Sequence, residues 1–261
     1  MTTTTSLTFD GFPQEGLDVL AGLATDNTRE YFDAHRTTYA SALLEPAKAF
    51  VVVLGEQLRS RVSHAIRAEP RVNGSILRIN RDTRFSSDKR PYKEHLDMWF
   101  WEGDAPSRDR PGYSVRLKPA TVVLSAGMHR FAPAALGAYR AAVDDRRRGE
   151  ELEIAIDAAT ARREITLGGL TYKRVPREYD RDHPRAELLR HGALYVSGEW
   201  KLPRVVSGPK FVGWVADRLL DMVPVERWLT ATIPPASAGR PARERRSVAT
   251  RRETSADPRR W

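Results

Sequence analysis

Between Leu96 and Ala126 the apolar residues fall on every second position three times in succession. Leu96, Met98 and Phe100 alternate with Asp97, Trp99 and Trp101; Tyr113, Val115 and Leu117 with Ser114, Arg116 and Lys118; Val122, Leu124 and Ala126 with Val123 and Ser125. A period of two sends successive side chains to opposite faces of a strand, so each run buries one face and leaves the other wetter. A similar run, Ile76 to Asn80, precedes them, with Leu77 and Ile79 set against Ile76, Arg78 and Asn80. With short connections after the second run, the expected arrangement is an antiparallel meander of about four strands.

Helical spacing surrounds this sheet. Pro13–Ala24 carries Leu17, Leu20, Ala21 and Ala24. Asn27 followed by Glu30 reads as a capping box opening a second helix with Tyr31, Phe32, His35 and Tyr39. Pro46 begins a third, through Phe50, Val53, Leu54, Leu58 and Val62. Further helices are expected over Pro133–Arg147, Glu150–Arg163 and Pro209–Met222, with a final turn over Pro224–Leu229 and a short helix between His183-Pro184 and Gly192. A small hairpin is expected over Ile165–Tyr172 with a Gly168-Gly169 turn, and another strand or hairpin over Leu194–Leu202 around Ser197-Gly198. The fold class is therefore α+β: N-terminal helices, a central antiparallel sheet and C-terminal helices, in one domain over 7–232. Residues 233–261 hold only Val248 and Trp261 as large apolar residues beyond Ile233, too few to offset chain entropy, and read as a disordered, Arg-rich tail.

Composition excludes several chemistries. There are no cysteines, hence no disulfide, thiolate metal site or cysteine nucleophile. The six histidines show no metal-ligand spacing, and neither a Walker nor a dinucleotide fingerprint occurs, so no metal or cofactor is expected. No run approaches the eighteen or so apolar residues of a membrane span, and the N-terminus lacks the basic start and apolar core of a signal peptide. The expected compartment is the cytoplasm. The net charge of +9 is local: residues 71–93 carry seven bases and two acids, residues 234–261 eight and three, and the remaining chain is left at −1.

The candidate site lies in the first of those basic stretches. Six cations, Arg78, Arg81, Arg84, Lys89, Arg90 and Lys93, are interrupted only by Asp82 and Asp88. If the runs at 75–80 and 95–101 pair, residues 81–94 form a connection far longer than an ordinary hairpin loop. The polar strand face beside it would carry Arg78, Asn80, His95 and Asp97, with Arg116 from the next strand. Arginine forks grip phosphate or carboxylate and lysine adds a mobile point charge, so this is an expected anion site. Arg78, Arg81 and Arg84 would hold the anion; Lys89, Tyr92 and Lys93 would position it or donate protons; Asp82 would orient an arginine or act as a base. Two other readings stay open: nucleic-acid binding by loop and tail, and an ion-pair scaffold in which Asp82 and Asp88 pair with cations of the loop and Glu30, Asp33 or Glu45 completes the network. No reaction type, catalytic residue or oligomeric state follows from the residues, and Trp99, Trp101 and Trp200 form at most a candidate stacking platform.

The segment Arg78-Ile-Asn-Arg-Asp-Thr-Arg-Phe-Ser-Ser-Asp-Lys-Arg-Pro-Tyr-Lys93 resembles the hallmark of a family of uncharacterised proteins, domain of unknown function 2461. Asn27–Phe32 is similar to an early segment of that family, and Ala126-Gly127-Met128 with Arg140 to a later one. The resemblance spans most of residues 9–230. Ser87 and Arg90 depart from the family pattern, which makes them poor candidates for an essential role. It implies a boundary and a motif, not a mechanism.

Overall fold

Three of the alternating runs form the strands that their period predicts and pair with one another in sequence order, while the flanking strands come from elsewhere in the chain. In a computed structural model that describes residues 8–84, 86–103 and 109–234, the strands are β1 (Ile66–Arg67), β2 (Leu96–Glu102), β3 (Gly112–Leu117), β4 (Thr121–Met128), β5 (Ile165–Leu170) and β6 (His191–Lys201). They make one six-stranded sheet in the order β1-β2-β3-β4-β6-β5, antiparallel throughout.

Register decides what each face carries, because directly paired residues share a face. Met98, Val115, Leu124, Gly198 and Ile165 form one row, and with Leu96, Phe100, Tyr113, Leu117, Val122, Ala126, Leu194 and Val196 they line the buried side. That side joins the core built from the helices, among them α1 (Gln14–Thr25), α2 (Arg29–Tyr39), α3 (Glu45–Arg61), α4 (Pro133–Asp144) and α5 (Arg146–Thr160). A short α6 (Ala186–Leu189), then α7 (Lys210–Leu220) and α8 (Val223–Thr232), complete it. Phe9 and Phe12, ahead of α1, pack edge-on with Phe50 and Phe211 and bind the two ends of the fold together.

The expected elements shift in several places. The run Ile76–Asn80 is no regular strand. It touches β2 through an isolated bridge from Ile76 to Met98 and crosses to Tyr92 from Asn80, two residues out of step. The extra length on the 93–97 side breaks the ladder, so Ile76 and Ile79 are buried while Leu77 is only half-buried. Gly168-Gly169 is an irregularity inside β5, not a hairpin turn, and Ser197-Gly198 lies inside the continuous β6. The cap of α2 is Thr28, whose Oγ1 accepts from the Tyr31 amide at 3.1 Å, so the capping box on Asn27 is not formed. Pro46 does not start a separate helix. A π-helical segment, Ala40–Leu44, carries α2 directly into α3, since a widened turn accommodates a proline that cannot donate to the preceding turn. The joined run Arg29–Arg61 includes an 18-residue window with a mean hydropathy of 1.2, long and apolar enough for a membrane by composition; half of that window is buried in the fold.

At the C-terminal boundary Ile233 is buried and its amide is bonded to Leu229 O at 2.7 Å, which places it with the folded helices. The disordered tail expected beyond it lies, from residue 235 on, outside the described residues.

Candidate functional site

The Arg-rich loop is fastened to the N-terminal helices by a backbone-reading amide. Asn27 Oδ1 accepts from the Tyr92 amide at 2.9 Å, while its Nδ2 donates to Tyr92 O at 3.2 Å and to Leu23 O at 2.8 Å. A side-chain amide has one acceptor and two donors, so it can satisfy both halves of a peptide group at once. The Tyr92 ring, 6% exposed, stacks on Phe32 with centroids 4.4 Å apart. Tyr92 thus anchors the loop to the core through its ring and backbone.

Within the loop the cations divide into two groups. Asp82 is gripped by Arg84, with Nε and Nη2 bonds of 2.9 and 2.7 Å, and the Arg84 hydrogen bonds hold its pKa down at about 2. Asp88 is held in the same way by Arg90 at 2.7 Å and also meets Arg81 at 2.8 Å; Arg90 hydrogen bonds keep it well below the usual carboxylate range. Arg90 further pairs with Glu94, and Lys89 Nζ donates to Thr83 O at 3.0 Å. Arg81, Arg84, Lys89 and Arg90 are therefore engaged with the loop itself. Of the helix acids, Asp33 and Glu45 pair with Arg36 and Lys48 and do not reach the loop.

Arg78, Asn80, Asp82 and Lys93 meet at a cavity of about 380 Å³ between the loop base and Trp99. Arg78 is exposed and makes no ion pair with a described residue. Lys93 Nζ stands 3.4 Å from Asp97, which also binds Arg116 Nε at 2.6 Å and His95 Nε2 at 3.3 Å. Burial alone would raise the Asp97 pKa; the hydrogen bonds from His95 and Arg116 outweigh it and hold the carboxylate ionised far into acid.

Leu77 and Trp99 also border a second cavity, about 470 Å³, over the sheet face turned away from the helices. Here the register places Trp99, Ser114, Ser125, Ser197 and Thr166 side by side across five strands. Ser125 Oγ is 2.6 Å from Ser114 Oγ and 2.9 Å from His129 Nε2, a continuous hydroxyl–hydroxyl–imidazole line. The His129 ring lies 4.1 Å from the Tyr195 ring. Asp97, Arg116, Val123 and Glu199 form the neighbouring row. Gly112 and Gly168 leave the space that two rings occupy: a Cβ there would come within 2.7 Å of the Trp99 ring and 2.5 Å of the Tyr195 ring.

Of the residues expected at the site, the structure brings Arg78, Asp82 and Lys93 to one cavity and adds Arg116 at the next. It disperses Arg81, Arg84 and Lys89 into the loop and buries Tyr92. The three tryptophans make no platform: Trp99 and Trp101 are buried on one face, and Trp200 packs edge-on against Trp214 under Arg218. Ala126-Gly127-Met128 lies within β4, and Arg140 stands over the Tyr172 ring, away from both cavities. Ser114, Ser125, His129, Tyr195 and Ser197 carried no signal as a group. Ser114 and Ser125 do occupy the polar positions of two recognised strands, so their pairing register would have joined them. Among the described residues no cluster of three or more His, Cys, Asp or Glu could hold a metal ion.

This is an α+β architecture in which helices back one face of an antiparallel sheet and an arginine-rich loop borders a polar cleft on the other. Within that class, the chain belongs to the family described as conserved hypothetical protein (DUF2461), whose model matches residues 15–228. No curated protein matches the chain.

Proposed function

We propose that the protein binds a small anionic organic ligand in the cleft between the loop base and the outer sheet face. Arg78 and Lys93 would meet the anion in the first cavity; Leu77 and Trp99 border both cavities, and Arg116 lines the second. One observation carries this reading: Arg78, a guanidinium that makes no ion pair within 4.0 Å of a described residue and acts on Asp82 only at longer range, shares a cavity with Lys93, Asn80 and that Asp82, which Arg84 already holds. Both cavities fall in the size range of small-molecule sites and are an order of magnitude larger than one water, so an inorganic ion alone would leave them mostly empty. The alternative, nucleic acid along loop and tail, has less behind it. Arg81, Arg84 and Arg90 already face carboxylates, which weakens a polyanion track.

Thermal unfolding across phosphates, nucleotides and dicarboxylates tests the proposal. A ligand at a hundred times its Kd adds about 2.7 kcal/mol, or a rise of roughly 5–10 °C for a domain of this size. Arg78→Ala should lose most of that rise and Arg84→Ala should keep most of it. A panel in which no anion shifts the wild-type transition overturns the reading.

A further inference from the structure

The second cavity carries an inference that rests on this anion site and extends it. We infer that the ligand is a sugar phosphate: its phosphate at Arg78 and Lys93, its polyhydroxylated body on the serine row of the outer sheet face. Serine is a poor choice for the centre of a strand, where branched and aromatic side chains pack better. Yet Ser114, Ser125 and Ser197 stand at directly paired positions on three adjacent strands. Their small side chains make a floor that Trp99 and Tyr195 border.

The chemistry of that floor selects among ligands. A hydroxyl both donates and accepts, and so does each hydroxyl of a sugar. Ser197 makes no side-chain hydrogen bond to a described residue and is half-buried, so its Oγ is available to a ligand. An apolar body would strip water from these hydroxyls without replacing it, which is costly. A second anionic group would meet Asp97, an acceptor held ionised at the edge of the same cavity. A neutral body rich in hydroxyls suits both: it can donate to the spare lone pairs of Asp97 and exchange hydrogen bonds with the serines. Arg78 and Lys93 line the first cavity and the serines the second, where the one cation, Arg116, is already bonded to Asp97; a phosphate ester of a polyol would place its phosphate in the first and its hydroxyls in the second.

Isothermal titration of the full chain with inorganic phosphate, ethyl phosphate, ribose 5-phosphate and glucose 6-phosphate decides it. At least one sugar phosphate should bind ten-fold or more tightly than ethyl phosphate. Ser197→Ala should shrink that ratio several-fold, and Ser114→Ala with Ser197→Ala should abolish it, while ethyl phosphate binding stays within two-fold of wild type. Ser197→Ala alters no hydrogen bond within the fold, so it keeps the test valid if the double variant fails to fold. Sugar and ethyl phosphates binding equally well, with Arg78→Ala weakening both, overturns the sugar subsite and leaves the anion site standing. A preference that survives Ser197→Ala undiminished also overturns it. No binding by any of the four compounds overturns this inference, and the anion site then rests on the dicarboxylate and nucleotide arms of the thermal panel.

Discussion

Leu124 and Ser125 are neighbours in β4, 0% and 2% exposed, and they look into opposite halves of the molecule. Around Leu124 the sheet meets helices through apolar contact. Around Ser125 it meets Ser114, His129 and a cavity through hydrogen bonds. Burial is therefore a poor guide to what holds this fold together, and the kind of neighbour matters more. The largest predicted contrast is between these two residues. Leu124→Ala removes packing that cannot refill and should cost about 2–5 kcal/mol. Ser125→Ala should cost about 1 kcal/mol, since Ser114 and His129 both lie on the cavity side, where solvent can replace the lost bonds. Urea unfolding of the two variants checks the ratio; equal losses would mean that the outer face is packed as tightly as the inner.

The same opposition holds for the two buried carboxylates. Glu226, fully buried on the helix side, accepts from Tyr113 Oη at 2.7 Å and from Thr230 at 2.8 Å; its burial raises its pKa above the ordinary 4.5. A raised carboxyl binds its proton more tightly when folded, so its contribution is present at low pH and fades as pH rises through the folded pKa. Asp97 behaves in the opposite sense. Its pKa lies below the ordinary 3.8, so its contribution is present above that value and lost as pH falls. The stability difference between wild type and Glu226→Gln should therefore move against wild type as pH rises from 4.5. That between wild type and Asp97→Asn should move against wild type as pH falls below 3.8. Denaturation curves across acid and neutral pH measure both slopes, and two slopes of one sign would refute the contrast.

What was legible in the sequence follows the same division. The helices and the three central strands show local periodicity, and these formed. The place of β6 beside β4, with β5 at the edge, depends on contacts between residues far apart in the chain, and no local pattern announces it. The serine row exists only once that register is known. In the loop both the excess of cations and the two acids that could pair within it, Asp82 and Asp88, are visible in the sequence, and the structure pairs them. Asp82-Thr-Arg84 and Asp88-Lys-Arg90 are the same device, an aspartate accepting from the amide two residues on and then from that residue's guanidinium. Charge counting supplies the acids; the i, i+2 spacing supplies the arginine that each one takes. Arg78 and Lys93 stand outside that device, toward the two ends of the loop: Lys93 pairs with Asp97, and both cations line the cavity at the loop base.

Arg116→Ala should produce an intermediate effect. Arg116 is 45% exposed along its side chain but bonds Asp97, 12% exposed, at 2.6 Å. Removing it leaves His95 and Lys93 to stabilise the carboxylate, so the loss should be about 1–2 kcal/mol, well below the 3–5 of a fully buried pair. The Asp97 pKa should rise toward its ordinary value, an effect that carbon-detected NMR titration reads directly. An unchanged pKa would show that Arg116 is a bystander.

Arg84→Ala should have the smallest effect, although Arg84 makes the bidentate contact with Asp82 and dominates its pKa. Both groups are solvated, and an exposed pair gains little over its separate interactions with water. The melting temperature should not change measurably, while the Asp82 pKa should rise from about 2 toward 3.8. Asp82 borders the cavity that holds Arg78, so it would then be free to draw that guanidinium toward itself. Any anion affinity of the cleft should fall modestly in Arg84→Ala and recover when Asp82→Asn is added. Recovery in the double variant would show that Arg84 serves the site by occupying its acid; a loss that persists would place Arg84 on the ligand itself.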